Sequence, residues 1–161
     1  MKIFKDNEQR EWSLAINVST IKRVRDLVGV DLLEIADGTL LQRLMSDPVL
    51  LCDVIYAVCK PDADEQEVAD EDFGRAMAGD ALDQATKALL EDLVDFFPSP
   101  RDRANLRTVL ATTWKAIDRA GDLIEQRLAG GELERAVDQA LASAGDSSGN
   151  APESSASIPT G

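Results

Sequence analysis

Carboxylates are the commonest side chains in this sequence that could do chemistry, and their spacing decides which chemistry. The densest run, Asp62, Asp64, Glu65, Glu67, Asp70, Glu71 and Asp72, resembles the alternating oxygen ligands of a calcium loop. Such a loop also needs a glycine at its sixth position to turn sharply, and counting from Asp62 that position holds Glu67. The run therefore reads as a solvated acidic loop. Asp92 and Asp95, with Glu91 beside them, are spaced to share one face of a helix, as a general acid and its base would. They alternate with the apolar positions of the same segment, so they are expected to face water.

Other reactive groups are scarce. There is no histidine, which removes the side chain that titrates near neutrality, the commonest metal ligand and every triad built on imidazole. Lys60, Lys87 and Lys115 fall in no pattern of a desolvated catalytic amine, and no glycine loop of the phosphate-cradling kind occurs. Cys52 and Cys59 share an apolar helical segment and would stand about 10 Å apart along it, too far for a disulfide. They read as buried, reduced packing residues. No catalytic residue, cofactor or metal is expected, and the chain reads as a binding protein without enzymatic activity.

Two groups of residues are candidates for contact with a partner. Phe96 and Phe97 are adjacent, so on a helix they point about 100° apart and one is expected to be partly exposed. Lys22, Arg23 and Arg25 form the most basic stretch of an acidic chain, and Arg101, Arg103 and Arg107 form a second. Ordinary surface charge balance explains such sets equally well.

The elements that position these residues are mostly helical. Ile3-Phe4, the polar turn Asp6-Asn7-Glu8, and Trp12, Leu14, Ile16 and Val18 at period two predict a β-hairpin with one buried face. Ser19-Thr20 then caps a helix with Ile21, Val24, Leu27 and Val28 on one side, closed by Gly29. A second helix follows Asp37-Gly38. A third starts at Asp47-Pro48, is apolar around most of its circumference, and is expected to centre the core and stop at Lys60-Pro61. Asp70 is a candidate cap for a short helix with Phe73, Ala76 and Met77. Asp80 to Phe97 forms a longer helix, ended by Pro98-Ser99-Pro100. Leu106, Val109, Leu110, Trp114, Ile117, Ile124 and Leu128 then mark one face of the longest helix, broken at Gly130-Gly131. A weakly amphipathic helix carries Leu133, Val137 and Leu141. The segment 145–161 is too poor in apolar residues to offset the entropy of ordering and is expected to be a disordered tail.

The fold expected is mainly α: one helical domain over 1–144 with a short N-terminal β-hairpin, followed by that tail. The chain has 161 residues, 44% of them hydrophobic, enough for one ordinary core. A net charge of -13 disfavours nucleic acid and anionic membrane as partners. No run approaches the ~20 apolar residues of a membrane helix and no basic leader precedes an apolar stretch, so a cytoplasmic location is expected.

The opening Lys2-Ile3-Phe4 to Glu11-Trp12-Ser13-Leu14, continuing through Ile16-Asn17-Val18-Ser19-Thr20-Ile21-Lys22-Arg23-Val24-Arg25, resembles small proteins encoded among the tail genes of long-tailed, siphophage-type bacteriophages. Gly29-Val30-Asp31-Leu32-Leu33 and Asp47-Pro48 to Tyr56 fit the same pattern. These look like the tail assembly chaperones. The resemblance implies a protein of the host cell cytoplasm that binds and solubilises the tape measure protein during tail assembly, with the tail tube protein and further copies of itself as additional partners. It also implies a longer form made by translational frameshifting, for which the 145–161 segment would suit a linker. Two other readings compete: an acidic regulator that occupies the site of a nucleic-acid-binding protein, which would align its carboxylates along one face, and a structural tail connector retained in the virion.

Overall fold

The structure, a computed structural model, describes residues 1–145. Two short strands, β1 (Lys2–Lys5) and β2 (Glu11–Leu14), precede seven helices: α1 (Val18–Val28), α2 (Thr39–Ser46), α3 (Pro48–Glu65), α4 (Asp70–Ala76), α5 (Asp80–Phe96), α6 (Pro100–Ala129) and α7 (Glu132–Gly145). A 3-10 turn over Leu32–Asp37 joins α1 to α2. The mainly α fold with its N-terminal hairpin is thus present. The expected tail lies outside the described residues, apart from Gly145, which is the last residue of α7. The chain divides into two compact units, 1–112 and 113–161. The boundary falls inside α6, so the helical region expected over 1–144 spans both.

In the first unit the strands pair antiparallel with Phe4 opposite Trp12. Period two puts Phe4, Trp12 and Leu14 on one face, and all three are buried. Each such side chain stabilises the fold by roughly 1.5–3 kcal/mol. Trp12 meets Phe73 of α4 edge-on at 4.8 Å between ring centroids, and Phe73 meets Tyr56 of α3 at 5.3 Å. This aromatic cluster joins the hairpin to two helices, the support a lone two-stranded hairpin requires.

The predicted alternation through Ile16 and Val18 stops short, since β2 ends at Leu14. Two side chains capture the backbone beyond it. The Ile16 N–H donates to Asp92 at 2.7 Å, and Asn17, rather than Ser19 or Thr20, caps α1 by accepting the Thr20 N–H. Val18 consequently starts a helix and is exposed. Asp70 likewise lies inside the first turn of α4, not at its cap; with Glu71 and Asp72 it faces the positive end of the helix dipole.

Helix α3 centres the core, as its apolar circumference predicts: Val54 and Ile55 are fully buried, and the helix packs against α1, α2, α4, α5 and β2. It does not stop at Lys60-Pro61. Proline removes the N–H that would bond the carbonyl of Ala57, and Arg23 of α1 supplies the missing donor. Its Nη1 donates to the Ala57 and Val58 carbonyls at 3.2 and 3.0 Å. The helix therefore continues to Glu65, and the front of the expected acidic loop is its last turn.

In the second unit, the end of α6 and all of α7 flank Gly130-Gly131. Gly131 has φ 68°, a left-handed conformation that glycine adopts without strain.

Candidate functional site

Two of the carboxylates singled out by their spacing, one from the α5 pair and one from the acidic run, prove to hold the fold together. Asp92 does not face water: it is 7% exposed, accepts the Ile16 N–H, and takes the Met1 amino group at 2.7 Å. The segment joining β2 to α1 and the residue ahead of β1 bring these donors over it, so Asp92 turns inward while Asp95 stays on the surface and pairs with Arg107 at 2.5 Å. Asp62, first of the acidic run, accepts the Ser13 N–H at 2.7 Å and ties the end of α3 to β2. Gln66 adds a bond to the Glu11 carbonyl beside it.

Asp6 is the most thoroughly engaged carboxylate. It is buried in the hairpin turn and accepts Trp12 Nε1 at 3.0 Å, Arg10 Nε at 2.7 Å and the backbone N–H groups of Glu8 and Arg10. Burial alone would raise its pKa. The hydrogen bonds from Trp12 and Arg10 outweigh that and hold it below the ordinary carboxylate value. Among the described residues, no group of three or more Cys, Asp and Glu is placed to hold a metal ion.

Both cysteines are free. Burial pushes the Cys52 thiol up to about 11 and the Cys59 thiol up to about 12, with nearby aspartates adding to each. At neutral pH neither carries the thiolate that a nucleophile or metal ligand requires. Cys59 is fully buried, whereas Cys52 is only half-buried.

The candidate contact residues have separate fates. Phe96 and Phe97 are both half-buried, at the end of α5, with rings edge-on at 6.3 Å between centroids. Arg103 donates to the carbonyls of Phe97 and Pro98 at 2.6 and 2.9 Å, which fixes the turn into α6. In the basic stretch, Arg23 serves α3 as described and Arg25 pairs with Asp31 at 2.6 Å. Lys22 is exposed and makes no ion pair with the described residues. Helix α1, which carries the basic stretch, and α5, which carries Phe96, are not among the element pairs that pack closely.

Exposed apolar side chains are concentrated elsewhere. From Thr113 to Gly145 no residue is buried. Ile117, Leu123, Ile124 and Leu128 of α6 and Leu133, Val137 and Leu141 of α7 are each between 45% and 66% exposed. Apart from that of Leu123, their helical spacing was visible in the sequence. Spacing shows which residues share a face, but not whether anything packs on it.

Acidic side chains occur on every helix except α2, and many pair with a neighbouring base, as Asp83 does with Lys87 and Glu91 with Lys2. Among the described residues, no helix is long and apolar enough to cross a membrane. Compared with protein-family models, curated proteins and solved structures, the chain matches none.

Proposed function

We propose that this protein is a tail assembly chaperone of a long-tailed bacteriophage, a non-enzymatic protein of the host cytoplasm that binds the tape measure protein and keeps it soluble until the tail tube forms around it. The observation that carries this reading is the second unit, where two consecutive helices present seven large apolar side chains and bury none of them. An amphipathic helix in a partner is the natural cover for such faces, because side chains repeating every three to four residues interlock with another helix. A tape measure protein, long and helical, would offer many such segments. The charge of -13 suits the role by keeping a complex with a hydrophobic partner dispersed. Contact with the tail tube protein and self-association are further parts of the proposal.

Co-expression with the tape measure protein of the same phage tests it. The expected result is that the tape measure protein becomes soluble and copurifies. The triple variant Leu133→Lys, Val137→Lys, Leu141→Lys should keep its helical circular dichroism, because those side chains are already exposed, and should lose the complex. A tape measure protein that stays insoluble with the wild-type chain would sink the reading.

A further inference from the structure

We propose that the trough along α3 of the first unit, bounded by α1, α4 and the start of α5, docks a partner helix that presents a lysine or arginine from within its apolar face. Two adjoining hollows of about 420 and about 330 Å³ form this trough. Leu27, Leu50 and Tyr56 line the first, and Val49, Cys52 and Leu82 the second. Its rim is strongly apolar for a water-facing surface: Val49 is 71% exposed and Leu27 58%.

Asp53 of α3 and Asp70 of α4 line both hollows, so the two carboxylates stand where the hollows meet. Neither has an ion-pair partner among the described residues, unlike most carboxylates of α3 to α5 near a base. Lys60, the cation that lines the trough among the described residues, is already paired with Asp64 on its own helix. Burial, and the charges of Asp70 and Asp47, raise the pKa of Asp53, the signature of an anion lacking its counterion. Apolar walls with an uncompensated pair of carboxylates midway are complementary to one kind of occupant: apolar side chains on either side of a basic one, as an amphipathic helix supplies. The chain's own 146–161 segment is a poor occupant, because it contains Asp146 and Glu153 and no lysine or arginine.

This inference does not rest on the tail-assembly reading. It concerns residues 27 to 82 instead of the second unit, so either can fail alone. The test uses the full chain and two synthetic helical peptides of about 20 residues, one alternating leucine and lysine on its faces and one with glutamate in place of lysine. Fluorescence anisotropy should show the lysine peptide binding, weakened about tenfold or more by Asp53→Asn with Asp70→Asn. The control pair Glu65→Gln and Glu67→Gln removes as much charge outside the trough and should leave binding nearly unchanged. Equal losses in the two double variants would mean general attraction to an acidic protein and would overturn the proposal. So would absence of binding, equal affinity for the glutamate peptide, or a self-association by sedimentation that Asp53→Asn with Asp70→Asn abolishes, since the occupant would then be a second copy.

Discussion

Asp6 shows how one residue can determine the behaviour of the hairpin. Its carboxylate gathers four donors from the turn and from Trp12, in a site the protein largely shields from water. A group whose folded pKa lies below its ordinary value of 3.8 contributes stability that is fully present above that value, and loses it as pH falls through the folded pKa. Asp6→Asn should therefore destabilise the protein at neutral pH, with the difference from wild type shrinking below about pH 4. Urea unfolding of both proteins from pH 7 to pH 2 measures this. Parallel profiles would mean that another carboxylate governs acid stability. None of Asp6's bonds was legible in the sequence beyond the turn itself, because the Trp12 indole reaches it only once the strands pair. The same limit applies to Asp92. It was expected to face water, but it stands one turn beyond Leu89 and two beyond Ala85, both buried, and the chain segment around Ile16 closes over it.

At the scale of elements, local rules read most of the architecture and failed where a distant residue changed their outcome. The apolar circumference of α3 and the caps at Asp47 and Gly29 lie within a few residues of what they control, so they were legible. Pro61 was read as a stop because the compensating donor, Arg23, belongs to another helix. This predicts energetic coupling between the two positions. Arg23→Met keeps the aliphatic packing of the side chain, removes the donor to the Ala57 carbonyl, and should cost about 1–3 kcal/mol. Pro61→Ala restores a local N–H, so in that background the same substitution should cost clearly less. Equal costs in the two backgrounds, by chemical denaturation, would show that Arg23 has no special relation to the proline. The basic stretch illustrates the converse problem: composition marks Lys22, Arg23 and Arg25 as one set, while packing gives each a different task.

For the whole molecule, charge and uncovered apolar surface are the two properties that matter. The sequence showed both as quantities but could not place them, since burial depends on which helices meet. One unit closes a core around α3 and the hairpin; the other leaves its apolar faces uncovered. Apolar surface of that extent is a binding surface or an aggregation hazard, and the proposed chaperone role makes it the former. The most direct measurement is amide hydrogen exchange of the chain alone and in complex with the co-expressed tape measure protein. The account predicts slowed exchange concentrated between residues 117 and 141. A complex in which that segment exchanges as fast as in the free chain would contradict it.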